Sequence, residues 1–232
     1  MTTATRLLVA ETFGPTLQGE GPSCGRQAMF IRLSRCNLRC GFCDTPYTWD
    51  WARYDPHHEA RWQPVAELAE WVGGHSPRLV VITGGEPLLQ QDRLLPLVDA
   101  LIADGRRVEI ETNGTIAPTP GLVREGVQFN VSPKLGNAGL AEDHRIVPAV
   151  LTALANTGNA IFKFVATEPA DLAEVAELEE RYALAPIWVM PEGTTTQAVL
   201  DRVRQLADQV IARGWSLSLR LQVLLWEAER GR

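Results

Sequence analysis

The chain has 232 residues, 45% of them hydrophobic and 22% charged, with a formal net charge of −6, which is typical of a packed globular protein and excludes a disordered or fibrous one. No stripe of Lys or Arg runs along this acidic sequence, so we expect no nucleic-acid ligand, because binding to phosphates depends on clustered positive charge. No apolar stretch reaches the roughly 18–20 residues that span a bilayer, and Met1–Ala10 has no secretory-signal pattern, so we expect a cytoplasmic protein without membrane contact.

Short β-rich runs alternate with stretches of helical spacing along the chain. The predicted strands are, in order, Leu7–Thr12, Met29–Leu33, Leu79–Thr83, Val108–Thr112, Val127–Val131, Ile161–Val165, Ile187–Met190 and Leu217–Leu221. The predicted helices are Val65–Val72 after Pro64, Leu94–Ile102 before Gly105, one capped within Thr194–Thr196 that reaches Arg213, and one capped by Asp171 that carries Leu172, Val175, Ala176 and Leu178. This alternation favours a mostly parallel sheet, either a barrel or an open layer.

Domain organisation follows from what separates these elements. No repeat and no low-complexity linker divides the chain, so we predict a single domain over residues 1–232. Thr45–Arg61 has weak periodicity and four aromatic residues, and it is predicted as a long loop.

Three of the four cysteines, Cys36, Cys40 and Cys43, have C-x₃-C-x₂-C spacing in a loop over residues 34–46. In a reducing cytoplasm, clustered cysteines indicate metal or redox chemistry. Three thiolates can hold three corners of a [4Fe–4S] cluster and leave the fourth iron open. Zinc is the alternative, but a structural zinc site has four ligands and the sequence has no second Cys or His pair of suitable spacing. The separate Cys24 is predicted to be a small buried apolar side chain.

These residues resemble the radical S-adenosylmethionine superfamily, whose signature places an aromatic residue where this chain has Phe42. Thr83-Gly84-Gly85-Glu86-Pro87 ends a predicted strand. Its glycines permit a tight turn in which carbonyl groups approach a ligand, and Glu86 could accept a hydrogen bond from the ammonium of a bound methionine moiety. Ser132-Pro133-Lys134 follows another strand in the same way. The resemblance implies that S-adenosylmethionine is bound by Phe42, Cys43, Asp44, Gly85, Glu86, Ser132, Pro133 and Lys134.

Within the superfamily, the chain is most similar to the 7-carboxy-7-deazaguanine synthase family, and the similarity covers nearly the whole sequence. The stretches that carry it are Glu11–Pro22, Phe30–Leu33, Cys43–Thr45, Glu111–Gly114 and Arg220–Trp226. The fold that this resemblance implies is α/β, an abbreviated, incomplete (β/α) barrel with a mostly parallel sheet.

The resemblance also implies a substrate, 6-carboxy-5,6,7,8-tetrahydropterin, and a radical ring contraction in queuosine-type biosynthesis. Arg32 is the expected partner of its carboxylate, because a guanidinium binds a carboxylate bidentately. The other expected substrate contacts are Leu17, Gln18, Gly19, Glu20 and Thr83. Thr45 matches the position of the family's Mg²⁺ ligand, which would need water and the substrate carboxylate to complete an octahedron. A flavodoxin-like electron donor and a homodimer are further expectations.

The sequence differs from the family pattern at two places in the tail, and two other functions are possible. The tail has Gln222 where the family is expected to have histidine, and Glu227-Ala228 where Gly-Asn-like residues are expected, so the tail is left out of the predicted site. A glycyl-radical activating enzyme shares the cysteine spacing but acts on a protein partner. A non-catalytic zinc or redox module is the second alternative.

Overall fold

One sheet of nine strands organises the part of the chain that the structure, a computed structural model, describes: residues 5–227 and 229–232. The strands are β1 (Arg6–Leu17), β2 (Gln27–Leu33), β3 (Arg61–Pro64), β4 (Leu79–Gly84), β5 (Arg107–Thr112), β6 (Val127–Val131), β7 (Ala160–Ala166), β8 (Ile187–Pro191) and β9 (Ser216–Leu217). Their order in the sheet is β3-β1-β2-β4-β5-β6-β7-β8-β9. The N-terminal residues 1–4 and Ala228, which the single predicted domain includes, lie outside the described residues.

The sheet is mostly parallel and open. Strands β2 and β4 to β9 pair in parallel, whereas β1 pairs antiparallel with both β2 and β3. Among the described residues β3 and β9 remain the two edges of the sheet, so it does not close into a barrel. The predicted α/β class with a mostly parallel, incomplete barrel is confirmed.

Eight α-helices accompany the sheet over the described residues. They are α1 (Pro56–Glu59), α2 (Val65–Gly73), α3 (Gln91–Ala103), α4 (Glu142–Arg145), α5 (Pro148–Ala155), α6 (Asp171–Tyr182), α7 (Thr196–Ala212) and α8 (Leu221–Trp226). Within the described residues, none of them has the length and apolar character that a bilayer crossing requires. Five of the helices, α2, α3, α5, α6 and α7, contribute to the large core on the outer face of the sheet.

The two faces of the sheet differ because successive side chains of a strand point to opposite sides. On β2 and β4, Ile31 and Ile82 face outward and join the large core that the helices cover. Phe30 and Val81 face inward and form a small apolar cluster, in which Phe13 stacks on Phe30 with ring centroids 4.8 Å apart. Beyond this cluster, the inner face carries polar side chains toward the carboxyl ends of the strands.

Most predicted elements are present, with differences at both ends of the chain. Strand β1 extends to Leu17, five residues beyond its predicted end. The predicted loop Thr45–Arg61 contains the short helix α1 and runs into edge strand β3, which was not predicted. The predicted strand Leu217–Leu221 is wrong beyond Leu217, because helix α8 begins at Leu221.

The predicted helix at Val65–Val72 matches α2 to one residue, whereas α3 begins three residues before Leu94 and α6 continues four residues beyond Leu178. The side chain of Thr195 caps α7 by accepting a hydrogen bond from the Ala198 N–H at 3.3 Å. Asp171 was expected to cap α6 but is its first residue, and its carboxylate accepts from the backbone N–H of Thr167 at 2.7 Å instead. Asp171 therefore stabilises the turn that precedes the helix.

Candidate functional site

A cavity of about 230 Å³ opens at the carboxyl ends of the parallel strands, where α/β proteins commonly bind ligands. It brings together residues that are far apart in the sequence. The predicted site residues that line it are Leu17, Gln18, Gly19, Glu20, Arg32, Cys36, Cys40, Phe42, Cys43, Asp44, Thr45, Thr83, Gly85, Ser132 and Lys134. Glu86 and Pro133 are not part of its wall.

The three clustered cysteines face this cavity as free thiols. The Trp49 indole N–H donates to Cys43 Sγ at 3.2 Å, and the Leu38 backbone N–H donates to Cys36 Sγ at 3.4 Å. Burial raises the pKa of the Cys36 thiol to about 11, so loading with metal would release a proton from it. Thiols on one wall with N–H donors to sulfur fit an iron–sulfur cluster, whose properties depend on such hydrogen bonds.

The described residues also bear on the zinc alternative. Among residues 5–227 and 229–232, no three Cys, His, Asp or Glu side chains converge closely enough to hold one ion. A structural zinc site needs four such ligands, so this arrangement does not favour the zinc alternative.

Two glycines set the position of the cysteine loop against β4. A Cβ atom on Gly84 would lie 2.1 Å from the Leu33 carbonyl oxygen, and one on Gly85 would lie 2.1 Å from that of Arg35. The Gly85 N–H donates to Leu33 O at 3.1 Å, and the Glu86 N–H donates to Arg35 O at 2.8 Å. We expected these glycines to admit a ligand; their nearest neighbours are the backbone of Leu33 at the end of β2 and of Arg35 at the start of the cysteine loop.

Glu86 lies fully buried behind the cavity wall. Its carboxylate accepts hydrogen bonds from the backbone N–H of Asn113 at 2.7 Å, from that of Leu88 at 2.9 Å and from the Thr112 hydroxyl at 2.9 Å. Burial raises the pKa of the Glu86 carboxyl, against the effect of these donors. The side chain therefore braces the loops after β4 and β5, and it does not meet the cavity where we expected a ligand ammonium.

The loop after β6 is held from two sides. Lys134 Nζ donates to Ser132 Oγ at 2.9 Å, and the Arg145 guanidinium donates to the Lys134 carbonyl at 2.9 Å. Farther along, the Ala138 carbonyl accepts from the Gly41 N–H at 3.0 Å, which joins this loop to the cysteine loop. The chain that follows Ser132-Pro133-Lys134 is thus in direct contact with the cysteine loop.

Glu20 is the centre of a buried polar group, the Glu20 cluster, made of Glu20, Lys163, Arg220 and Gln222. The Lys163 ammonium contacts Glu20 Oε2, while Gln222 Nε2 donates to Oε1 at 2.8 Å and Arg220 Nε approaches it at 3.4 Å. Burial opposes ionisation of Glu20, but Lys163 and Arg220 outweigh it and lower its pKa to about 2. Glu20 is therefore a carboxylate at neutral pH.

The C-terminal helix α8 docks on the loop that carries Glu20. The Leu221 N–H donates to Gly19 O at 2.9 Å, and a Cβ atom on Gly19 would lie 1.7 Å from Gln222 Oε1. The other Arg220 nitrogens donate to Asp44 Oδ2 at 2.5 Å and to Gly193 O at 2.6 Å. The tail, which we left out of the predicted site, is thus part of the cavity wall.

A second charged group, the Glu11 cluster, surrounds Arg32 and consists of Glu11, Arg32, Tyr47 and Arg230. Glu11 Oε1 accepts from Arg32 Nε at 2.7 Å and from the Tyr47 hydroxyl at 2.5 Å, and Oε2 accepts from Arg230 Nε at 3.2 Å. Burial opposes ionisation of Glu11, yet Arg32 and Tyr47 hold the pKa of its carboxyl below its usual value. The only hydrogen bond that Arg32 donates to the described residues comes from Nε, so its terminal nitrogens are available to a ligand.

Gln18 and Thr83, both predicted to contact the substrate, meet on Glu111. Gln18 Nε2 donates to Glu111 Oε1 at 3.2 Å, and Thr83 Oγ1 donates to Oε2 at 2.8 Å. Thr45 is buried beside the cysteines, with its hydroxyl 3.8 Å from Cys43 Sγ.

The cavity wall also contains charged residues that the sequence prediction missed, among them Glu111, Lys163 and Arg220. Lys163 had a recognisable signal, because it interrupts the apolar strand β7 and is almost fully buried, and a buried ammonium requires a partner. Cys24, expected to be buried, is exposed, and its Sγ donates to the Gly19 carbonyl at 3.3 Å.

Comparison with known proteins identifies the family. Residues 30–125 match the model of the radical SAM superfamily. The chain is 37% identical to the 7-carboxy-7-deazaguanine synthase of Pyrobaculum aerophilum, over 100% of both chains. It is 36% identical to that of Hyperthermus butylicus, over 95% of this chain and 93% of the relative.

Solved structures agree with these relatives. The crystal structure of QueE from Escherichia coli aligns with a TM-score of 0.72 at 29% identity, covering 93% of this chain and 94% of QueE. Streptococcus suis SuiB, bound to its precursor peptide SuiA, aligns at 16% identity with a TM-score of 0.60, over 82% of this chain and 47% of SuiB, and shows likeness of fold alone. Because it matches these relatives over nearly their full length, the chain belongs to the 7-carboxy-7-deazaguanine synthase family of the radical S-adenosylmethionine superfamily.

Proposed function

We propose that this protein converts 6-carboxy-5,6,7,8-tetrahydropterin into 7-carboxy-7-deazaguanine in queuosine-type biosynthesis. The two molecules differ by one ammonia, so the overall reaction needs no net oxidant. One observation carries the proposal: in a chain of this family, a single cavity brings together the three cysteines, the Arg32 guanidinium and the ionised Glu20. These are groups for a cluster, for a carboxylate and for the N–H groups of a heterocycle.

Membership of the superfamily implies a [4Fe–4S] cluster and S-adenosylmethionine. When bound, this pair supplies a carbon radical that removes hydrogen from the substrate. Cys36, Cys40 and Cys43 would hold the cluster. The residues that would hold S-adenosylmethionine at the cavity wall are Phe42, Asp44, Gly85, Ser132 and Lys134. Glu86 and Pro133 would act from behind the wall, by fixing the loops that carry these contacts.

The substrate residues divide by charge. Arg32 would bind the pterin carboxylate, because Glu11 orients its guanidinium through Nε and leaves the terminal nitrogens available. Glu20 would accept from ring and amino N–H groups, because Lys163 and Arg220 keep it ionised. Gln18 and Thr83, both held by Glu111, would bind the polar edge of the ring, with Leu17 and Gly19 as the adjoining wall.

Thr45 is the proposed protein ligand of Mg²⁺. It is buried in the cavity wall beside Cys43, where its hydroxyl could complete a coordination shell supplied mostly by the substrate carboxylate and water. Turnover should then require added Mg²⁺, and Thr45→Val, which is similar in shape, should raise the concentration of Mg²⁺ needed for half-maximal rate.

The remaining proposals concern partners and location. A flavodoxin-like protein would deliver the electron, the protein would act as a homodimer, and it would work in the cytoplasm. Their support is the resemblance to the family.

The relatives also bear on the alternatives. Similarity to 7-carboxy-7-deazaguanine synthases extends over the whole chain, and it does not favour a glycyl-radical activating enzyme. An activating enzyme would form 5′-deoxyadenosine only with its protein partner present, so a small-molecule assay separates the two activities.

The test is anaerobic reconstitution with iron and sulfide, followed by incubation with a reductant, S-adenosylmethionine, Mg²⁺ and carboxytetrahydropterin. We expect a product with the mass of 7-carboxy-7-deazaguanine, formed together with ammonia, and no product when the pterin or the reductant is omitted. A protein that carries a full cluster and cleaves S-adenosylmethionine but leaves the pterin unchanged would contradict the proposal.

A further inference from the structure

Trp49 lies in the loop that follows the cysteines and contacts one of them directly. Its indole N–H donates to Cys43 Sγ at 3.2 Å, and the side chain lines the cavity. We infer that Trp49 raises the reduction potential of the cluster by donating this hydrogen bond to a ligand sulfur. The inference rests on the proposed function, because it requires a cluster on Cys43.

The turn that carries Trp49 is fixed by hydrogen bonds of its backbone and of Thr48. The backbone N–H of Trp49 donates to Pro46 O at 3.1 Å, and Thr48 Oγ1 donates to Thr45 O at 2.8 Å. The Thr48 carbonyl accepts from the Arg35 N–H at 2.7 Å, which ties this turn to the start of the cysteine loop. The donor and the sulfur therefore belong to one connected segment, and the contact does not depend on a flexible surface side chain.

Among the described residues, Cys43 has the closest side-chain N–H donor of the three cluster cysteines. Cys36 Sγ accepts from the backbone N–H of Leu38 at 3.4 Å, and its nearest side-chain donor, Asn113 Nδ2, is 4.0 Å away. The indole N–H is a donor only and has no acceptor function. Trp49 is thus the side chain through which substitution can change hydrogen bonding at a ligand sulfur most directly.

The direction of the effect follows from charge. An N–H dipole aimed at a sulfur stabilises negative charge there, and reduction by one electron adds negative charge to the cluster and its thiolates. The hydrogen bond therefore stabilises the reduced form more than the oxidised form, which raises the potential; hydrogen bonds to sulfur and solvent exposure are recognised determinants of cluster potential. Trp49 acts as a tuning residue and needs no contact with the substrate.

The test uses Trp49→Phe, which keeps an aromatic ring and removes the N–H, with Trp51→Phe as the matched control. Trp51 belongs to the same loop and is 39% exposed. Both variants and the wild type are reconstituted anaerobically, and the cluster is titrated with reductant under EPR detection. We expect a more negative midpoint potential for Trp49→Phe, with wild-type iron and sulfide content, and an unchanged potential for Trp51→Phe. Equal potentials in all three proteins would overturn the inference.

A second measurement does not depend on a folded variant. Wild-type protein labelled with ¹⁵N in the tryptophan indole should show a nitrogen coupling in the pulsed EPR spectrum of the reduced cluster, because the donor atom lies next to a ligand sulfur. Absence of this coupling would also overturn the inference. Failure of the wild type to form any cluster would remove both this inference and the proposed function, whereas a normal cluster with an unshifted potential removes this inference alone.

Discussion

The Glu11 and Glu20 clusters are both built from a carboxylate and two cations, but they differ in which of these groups line the cavity. In each, one carboxylate meets two cationic side chains. In the Glu20 cluster the cations are buried, and the charge they surround is the carboxylate that faces the cavity. In the Glu11 cluster the carboxylate is the support, and the cation, Arg32, lines the cavity. The Glu20 cluster thus brings an ionised carboxylate and its two cations to the cavity wall, whereas the Glu11 cluster brings only the Arg32 guanidinium.

The difference in burial separates their energetic roles. Lys163 and Arg220 are both almost fully buried, whereas the Arg230 side chain is 46% exposed and that of Arg32 is 18% exposed. Removal of one partner from a buried ion pair leaves an unpaired charge in the protein interior, where water cannot solvate it. Such a change destabilises the fold far more than the loss of an exposed pair. We therefore expect stability to depend on the Glu20 cluster and ligand binding to depend on both.

The largest expected effect is on folding. Glu20→Ala leaves the Lys163 ammonium buried without its carboxylate and should lower the free energy of unfolding by about 3–5 kcal/mol. Glu11→Ala should cost less, since Arg230 can turn to water. Urea unfolding of the proteins without an iron–sulfur cluster measures both free energies. Equal losses in the two variants would show that the two clusters do not differ in this respect.

The next effect is on turnover. Arg32→Ala should lower kcat/KM for the pterin by roughly 100-fold, because hydrogen bonds to a charged group contribute about 1.5–3 kcal/mol each and 1.4 kcal/mol corresponds to tenfold. Iron content should stay at the wild-type level, because the hydrogen bond that Arg32 donates goes to Glu11 and not to a cysteine. Arg32→Lys should restore only part of the rate, since an ammonium lacks the planar fork. Wild-type turnover in Arg32→Ala would exclude Arg32 from the substrate site.

An acid titration should show the Glu20 cluster directly. The folded protein lowers the pKa of Glu20 from its ordinary 4.5 to about 2, so its contribution to stability is complete above the ordinary value and is lost as the pH falls from there toward 2. In protein without an iron–sulfur cluster, the free energies of unfolding of wild type and Glu20→Gln should differ more at about pH 5.5 than at about pH 3. A difference that does not change with pH would contradict the assigned ionisation.

The smallest effect belongs to the outer cation of the Glu11 cluster. Arg230→Ala should change the free energy of unfolding by about 1 kcal/mol or less, because exposed ion pairs contribute little. Its hydrogen bond to Glu11 is 3.2 Å, longer than the 2.7 Å bond from Arg32, and the variant should keep the wild-type KM for the pterin. A large rise in KM would assign Arg230 to ligand binding and blur the comparison between the clusters.

The central strands were predictable because alternation and apolar runs dominate there. The tail was not, because Leu217, Leu219 and Leu221 alternate as in a strand while Leu221, Leu224 and Leu225 have helical spacing. Contact with Gly19 decides between these two patterns, since the Leu221 N–H finds its acceptor on that residue. Edge strand β3 was missed for a similar reason: it is short and forms by pairing with β1.

For the site, sequence motifs indicated which loops form the cavity, but they did not indicate which side chains bond to one another there. The cysteine spacing and the Gly-Gly turn predicted which loops meet, and the structure brings them together. The sequence contains no sign that Glu86 turns toward Thr112 and Asn113 instead of lining the cavity, because that orientation depends on the loop after β5. The role of Arg220 likewise requires three segments that only the fold brings together.

The bare backbone at Gly84 and Gly85 has a consequence for how this family can change. The cysteine loop rests on peptide groups, so its height above the sheet is fixed by bond lengths and van der Waals radii that are the same in every protein. This part of the support contains no side chain, so substitutions elsewhere around the cavity leave it unchanged. New substrates could therefore be accommodated while the reacting centre keeps its coordinates.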